Sequence, residues 1–271
     1  MKQYPHLISQ LFNRPLLITR EKHAAICRIL EARLAGSTTV SPVSPDDPEQ
    51  DCEDCDLAQE PVNGDTAIIP VHGILGKHLG TLEMMSGGCD LDTVASKLEV
   101  AVADARVQRI IFDFRTPGGS VTGLPELGRK IAAITTKRTI AFTDSECCSG
   151  GMWLAEQCQN FYATESSCTG SIGVWCAYWD LSRKMEMDGE RMQCISAGKY
   201  KTMGGYWKPL TPDELQILQA DVDKIHEQFK EAVNLRREVA DEHMQGQTFD
   251  GLEALAAGLI DSIVEDLDEL L

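Results

Sequence analysis

One serine, Ser149, has neighbours that suit a nucleophile. An apolar run, 139–142, precedes it, and Gly150 and Gly151 follow it directly, so the pattern predicts a strand that delivers Ser149 to the start of a helix. Glycines after a serine leave its hydroxyl uncrowded and let a substrate backbone come close. The free N–H groups at the helix start would face negative charge that develops there. The same pattern also fits an N-cap serine followed by flexible glycines.

A serine needs a base before it can act as a nucleophile. None of the six histidines has a context that marks it as this base; they are His6, His23, His72, His78, His226 and His243. The alternative is a lysine whose pKa is lowered by a desolvated site. Lys199 and Lys201 lie in a turn of small residues after a predicted strand over 192–195. They also fit an exposed loop without a chemical role, which is the more usual place for such lysines.

The chain has ten cysteines but no secretory signal, so buried free thiols are expected rather than disulfides. Cys147 and Cys148 directly precede Ser149 and are too close in sequence to bridge each other. Cys52 and Cys55 form a C-x-x-C, which is weak support for zinc because a closed site needs four ligands and no further Cys pair or His is near. We expect no metal and no cofactor.

Composition narrows the class of protein. The chain of 271 residues is 43% hydrophobic and 25% charged, which is typical of a soluble globular protein with a well-buried core. Its net charge of −17 argues against a nucleic-acid binder, which needs a basic surface. No apolar run approaches the ~20 residues that span a bilayer, and residues 1–36 lack the apolar core of a secretory signal. A cytoplasmic protein without a membrane anchor is therefore expected.

Three segments differ in their patterns. Residues 1–36 are predicted to be an arm with a helix capped by Thr19. Residues 37–65 are predicted to be an acidic, proline-rich linker, because they carry no Lys or Arg and little apolar surface. Residues 66–271 form the remaining domain, in which predicted strands (67–71, 109–114, 139–142, 161–163) alternate with predicted helices (91–102, 124–134, 150–155). This alternation favours an α/β fold with a parallel sheet, and the glycine turns 116–120 and 149–151 would lie at the carboxyl ends of its strands.

A long helix is predicted after Thr211. Thr211, Pro212 and Glu214 combine an N-cap, a proline in the first turn and the acidic partner of a capping box. An apolar stripe follows, which fits either a core-facing surface or a subunit contact; it comprises Leu215, Leu218, Val222, Ile225 and Phe229. A last helix over 252–257 and a strand over 260–264 complete the pattern.

Several segments together resemble one family. They are, in order, the strand 68–73, Thr116-Pro117-Gly118-Gly119, Ser149-Gly150-Gly151, Thr169-Gly170-Ser171-Ile172-Gly173-Val174, the lysine segment 198–201, and the closing region 246–261. This ordered set resembles the signal peptide peptidase A-like serine peptidases, relatives of ClpP and the crotonases in fold. The resemblance covers residues 66–265, and the whole set is far more specific than any one motif.

The resemblance implies a ClpP/crotonase-like fold of repeated β-β-α units with a parallel sheet. It also implies that Ser149 is the nucleophile, that Lys201 is the general base and that Ser171 orients the lysine. Backbone N–H groups of Gly118 or Gly119 and of Gly150 would form the oxyanion hole. Cys147 and Cys148 stand where the family has small apolar residues, and Thr116 stands where it has serine. Neither departure is expected to touch a catalytic group, so an active enzyme is expected.

The arm, with Asn13-Arg14-Pro15-Leu16, is similar to that of the soluble members encoded by tailed phages and prophages. This resemblance implies a Ser–Lys endopeptidase that processes scaffold or portal proteins during procapsid maturation and forms a homo-oligomeric ring. The enzyme would then act in the host cytoplasm or the procapsid. No scaffold-like extension follows Leu271, so a scaffold is expected from another chain. Two alternatives stay open: a crotonase-type acyl-CoA enzyme, which needs no Ser–Lys pair, and a catalytically inactive structural protein of the capsid or scaffold.

Overall fold

The computed structural model describes residues 15–34 and 62–271. They fall into two compact units: a larger one of residues 17–173 and 229–271, and a smaller one that joins the described residues up to Leu16 with residues 174–228. Most of the predicted linker, residues 37–61 with Cys52 and Cys55, lies outside the described residues. The assignment of 66–271 as one domain stays a prediction.

The bounds of the regular elements follow in chain order. The strands are β1 (Pro15–Ile18), β2 (Val62–Asn63), β3 (Thr66–His72), β4 (Ile74–Gly76), β5 (Gly88–Asp90), β6 (Arg109–Arg115), β7 (Gly118–Ser120), β8 (Arg138–Thr143), β9 (Glu146–Cys148), β10 (Asn160–Ala163), β11 (Cys168–Gly170), β12 (Trp175–Cys176), β13 (Thr248–Phe249) and β14 (Ser262–Ile263). The helices are α1 (Arg20–Leu34), α2 (Thr81–Met84), α3 (Leu91–Ala103), α4 (Leu124–Ala132), α5 (Gly150–Ala155), α6 (Ser182–Met187), α7 (Pro212–Val233) and α8 (Gly251–Ala256).

A central sheet forms the core of the larger unit. Its order is β14-β10-β8-β6-β3-β2, and every pair is parallel except the antiparallel pair of β2 and β3. The middle strand β6 is buried along almost its whole length, from Ile110 to Phe114. Strands of a parallel sheet are covered on both faces, which is why these segments are continuous apolar runs in the sequence.

A second layer of short strands follows the central strands. The chain passes from β3 to β4 and on to α3, from β6 to β7 and α4, and from β8 to β9 and α5; α2 and β5 are inserted in the first of these units. Strand β4 lies between β5 and β7 and pairs with both, and β9 pairs with β11. The predicted α/β, ClpP/crotonase-like arrangement of repeated β-β-α units with a parallel sheet is thereby confirmed.

The N-terminal helix is confirmed, because α1 begins directly after Thr19. A strand in front of it, β1, was not predicted. In the smaller unit its first two residues pair antiparallel with β12, Pro15 opposite Cys176 and Leu16 opposite Trp175.

The predicted strand over 192–195 is wrong. Residues 190–196 contain neither helix nor strand and are exposed, and Ile195 keeps 94% of its surface in contact with solvent. The apolar character of Met192 and Ile195 suggested a strand, but no neighbouring strand pairs with this segment within the smaller unit.

The predicted long helix, α7, starts with a capping box as expected. Glu214 N–H donates to Thr211 Oγ1 (3.3 Å), and Thr211 N–H donates back to Glu214 Oε2 (2.9 Å). The apolar stripe has two parts. In the smaller unit Leu215 is 57% exposed, whereas Phe229 is fully buried in the larger unit and stacks on Trp153 at 5.0 Å. No helix within the described ranges is long and apolar enough to cross a membrane.

Candidate active site

Ser149 lies where β9 meets α5, deep in the larger unit. It is the N-cap residue of α5, but its side chain makes no capping hydrogen bond, so the interpretation of Ser149 as a simple cap is not supported. Its backbone has φ 55° and ψ −113°, a conformation that costs on the order of 1–3 kcal/mol for a non-glycine residue. Strain of this kind at a residue only 1% exposed is typical of functional sites.

The two glycines after Ser149 lie in close packing with neighbouring side chains. A Cβ on Gly150 would lie 2.9 Å from Leu124 Cδ1, and a Cβ on Gly151 would lie 2.6 Å from Thr116 Cγ2. Both distances are shorter than ordinary carbon contacts. A side chain at either position would therefore force Leu124 or Thr116 to shift.

Gly118 lies close to Ser149, although it belongs to the preceding β-β-α repeat, that of β6, β7 and α4. It has φ +95°, and a Cβ there would lie 2.8 Å from Gly150 N and 2.9 Å from Ser149 Cβ. The turn is held by Thr116, whose Oγ1 accepts from Gly118 N–H (3.1 Å) and donates to Gly73 O (2.6 Å). The expectation that Thr116 touches no candidate catalytic group is therefore wrong, because its hydroxyl occupies the Gly118 N–H.

Ser171 lies beside Ser149 in the second layer. The parallel pair of β9 and β11 places Cys148 opposite Gly170, and Ser149 N–H donates to Gly170 O at 2.8 Å. Ser171 is the next residue; it has φ 52° and donates its N–H to Gln247 O at 2.6 Å. The structure thus brings Ser149, Ser171, Gly118, Gly119 and Gly150 together within the larger unit.

The two candidate lysines belong to the smaller unit. Lys199 is exposed, and its Nζ donates to Asp213 Oδ2 at 2.6 Å. This hydrogen bond raises the pKa of Lys199, which disfavours the neutral amine that a base must be. Lys201 is also exposed and lies in a turn closed by its N–H on Gly198 O (3.2 Å). The pairing of Lys201 with Ser149 stays a prediction.

The thiols beside Ser149 are poor nucleophiles. Cys147 is fully buried, and burial raises the pKa of its thiol. Cys148 Sγ lies 3.8 Å from Cys168 Sγ. This hydrogen bond and burial both raise the pKa of Cys148. The same hydrogen bond lowers the pKa of Cys168 to about 7, although partial burial of that thiol acts in the opposite direction. Because the thiolate is the reactive form, the thiol next to Ser149 is held in its unreactive state.

A histidine–carboxylate pair lies in the central sheet. His72 Nε2 is 2.8 Å from Asp113 Oδ2, which is the kind of contact that orients a catalytic imidazole. Within the larger unit, however, no histidine makes a hydrogen bond with Ser149.

The segment around Leu17 also lies in this region, and sequence reasoning missed it. Leu17 is fully buried, and its carbonyl oxygen lies against the backbone of Gly118 and Gly150. Thr19 N–H donates to Pro117 O at 3.0 Å. The short apolar run over 15–18 was a possible signal, but its strand partners are far away in sequence and could not be read from it.

Comparison with known proteins finds two phage proteins among the most similar relatives. The chain is 26% identical over 291 residues to "Capsid assembly protease C" of Escherichia phage lambda, covering 100% of this chain and 65% of that protein. It is 26% identical over 281 residues to "Head-tail preconnector protein GP5" of Enterobacteria phage P21, covering 98% of this chain and 56% of that protein. The chain therefore spans less than two thirds of the length of these relatives.

A solved structure and a family model also match. A mutant of ClpP1 from Listeria monocytogenes is 13% identical, covers 76% of this chain and 95% of its own, and has a TM-score of 0.47. The model of peptidase family S49 matches residues 133–270, more than half of the chain, and this stretch contains Ser149, Ser171 and both candidate lysines. The chain belongs to peptidase family S49.

Proposed function

We propose that the chain is a serine endopeptidase whose nucleophile is Ser149. The observation that supports this most is Ser149 itself: its backbone is strained, the residue is buried, and its side chain makes no capping hydrogen bond at the junction of β9 and α5. In the proposed reaction, Ser149 Oγ attacks a peptide carbonyl carbon, the C–N bond breaks, and the amine leaves with the proton that the serine gave up. Water then hydrolyses the ester and restores the serine.

The oxyanion hole is assigned to Gly119 and Gly150. Gly118 N–H already donates to Thr116 Oγ1, so of the two candidates in this turn Gly119 is the better donor. Gly119 N lies 3.4 Å from the point where a Cβ on Gly150 would stand, so the backbones of the two residues adjoin. Each such donor is worth about 3 kcal/mol of transition-state stabilisation.

Lys201 is proposed as the general base and Ser171 as the residue that orients it. The ion pair of Lys199 with Asp213 favours this choice, because it leaves Lys201 as the lysine of this turn that makes no ion pair within the described part of the smaller unit. A general base accepts the proton of Ser149 only in its neutral form.

We further propose a role in phage capsid assembly with a protein substrate, such as a scaffold or portal protein. The names of the two phage relatives support this role. Assembly into a homo-oligomeric ring, in the host cytoplasm or the procapsid, is part of the same proposal, and the exposed start of the α7 stripe at Leu215 offers a surface for it.

The base is tested by a pH–rate profile on one peptide substrate. Lys201→Ala and Lys201→Arg should both be inactive, since an arginine keeps the charge but cannot accept a proton. Lys199→Ala is the matched control and should stay active. If Lys199→Ala is inactive and Lys201→Ala is active, Lys199 is the general base instead of Lys201. If both alanine variants stay active, the Ser–Lys mechanism is wrong.

A further inference from the structure

The end of β1 enters the candidate active site as a peptide strand. A Cβ built on Gly118 would lie only 2.0 Å from Leu17 O, and one built on Gly150 would lie 3.3 Å from the same oxygen. One backbone carbonyl of the chain itself thus lies against Gly150, a proposed oxyanion donor, and Gly118, the neighbour of the other proposed donor.

The register of this contact follows from one hydrogen bond. Strand β1 is hydrogen-bonded to β7 in the sheet, and Thr19 N–H donates to Pro117 O at 3.0 Å. In an antiparallel pairing through this bond, two residues back along β1 lie opposite two residues forward along β7. Leu17 then faces Gly119, so this register directs the Leu17 carbonyl to the Gly119 N–H, which is one of the two proposed oxyanion donors.

The other residues of β1 also make the contacts that a bound peptide strand would make. In the smaller unit, Pro15 and Leu16 pair antiparallel with β12. Leu16, Leu17 and Ile18 are each at most 3% exposed. Backbone pairing plus buried side chains is the manner in which extended peptides bind to a sheet edge.

We propose that β1 occupies the active site of its own chain in the manner of a bound peptide. Leu17 occupies the position of the substrate residue whose carbonyl is attacked, so β1 shields Ser149 until a substrate displaces it. The preferred substrate is then an extended apolar peptide with leucine at that position. This inference rests on Ser149 being the nucleophile. Since a tethered segment competes at an effective concentration on the order of mM, releasing β1 should increase the reactivity of Ser149 toward added reagents by about ten-fold or more.

The first test compares rates of labelling of Ser149 by a fluorophosphonate. Leu17→Asp places a charge where a buried apolar side chain was, and should release β1 and raise the rate. Leu252→Asp is the matched control, because Leu252 is 54% exposed at the start of α8, and its rate should equal that of the wild type. Equal rates in Leu17→Asp and the wild type would overturn the inference while leaving the nucleophile in place. If Ser149 is labelled in none of the three chains, the proposed function fails first.

The second test locks β1 in place, and it does not depend on the folding of Leu17→Asp. Pro15 lies opposite Cys176, and opposed residues in antiparallel strands have Cα atoms about 4.5–5.5 Å apart, within the range of a disulfide. Pro15→Cys should therefore form a disulfide with Cys176 under mild oxidation. Oxidation should abolish peptide turnover, and dithiothreitol should restore it. The wild type, treated alike, controls for oxidation of Cys148 and Cys168. Turnover by the locked chain at the reduced chain's rate would overturn the inference.

Discussion

Gly118→Ala tests whether the approach of the 116–118 turn to Ser149 is essential. The new Cβ would lie 2.0 Å from Leu17 O, 2.8 Å from Gly150 N and 2.9 Å from Ser149 Cβ. Two of these atoms belong to backbone that cannot rotate away, and the third is the Cβ of the nucleophile. The Gly150 and Ser149 contacts remain even if β1 is displaced, so the prediction does not depend on the role of β1.

The expected cost has two parts. The positive φ of +95° should cost an alanine roughly 1–2 kcal/mol, and overpacking against fixed atoms should cost about 1–3 kcal/mol more. The free energy of unfolding should therefore fall by roughly 2–5 kcal/mol. Movement of the turn would also misplace the Gly119 N–H, and loss of one oxyanion donor lowers kcat by about 10²–10³-fold.

Gly87→Ala separates the two parts. Gly87 has φ +88°, but no atom lies within 4 Å of the point where its Cβ would stand, so this variant should show the backbone strain alone, roughly 1–2 kcal/mol. Urea unfolding would give the stability of both variants, and hydrolysis of a fluorogenic peptide would give their activity. The packing argument is refuted if Gly118→Ala is as stable and as active as Gly87→Ala.

Three further predictions concern other parts of the molecule. Because the pKa of Cys168 is lowered to about 7, its alkylation by iodoacetamide should increase steeply from pH 6 to about 8. The thiol of Cys148 should stay unmodified over the same range. Peptide mapping would show both results, and equal labelling of the two cysteines would contradict the prediction. Arg237 forms an ion pair with the fully buried Glu156, with 2.9 Å between a guanidinium nitrogen and a carboxylate oxygen. Arg237→Met should therefore lower the free energy of unfolding by about 3–5 kcal/mol. Arg236→Met, at an exposed position, is the control and should change it by about 0.5 kcal/mol or less. Ile225→Asp should reduce the particle mass in light scattering with native circular dichroism; simple unfolding would instead assign Ile225 to the core.

The sequence predicted the elements whose signals are local and long. Central strands such as β6 are continuous apolar runs, and the start of α7 is marked by the Thr211–Glu214 capping box, so both could be read from neighbouring residues. The strands of the second layer were expected from the resemblance but could not be located from the residues, because β4, β7 and β9 have only three residues each, too few to show a period. The strand predicted at 192–195 failed for the opposite reason, since apolar residues alone do not supply a partner strand.

The candidate site, too, was predicted from the sequence only where its signals are local. Ser149, its glycines and Ser171 were found from motifs, and the structure brings them together. The contact of Thr116 with Gly118 and the entry of Leu17 were not found, because both depend on residues that meet only in the folded chain. The role of Lys201 stays a prediction.

The nucleophile is the central claim, and one measurement tests it most directly. The chain is treated with a fluorophosphonate, digested and mapped by mass spectrometry, beside Ser149→Ala. We expect the label on Ser149 of the wild type. The alanine variant should show no label and no peptide hydrolysis, and its melting temperature should be unchanged. A label on another residue, or hydrolysis by Ser149→Ala at the wild-type rate, would contradict the account.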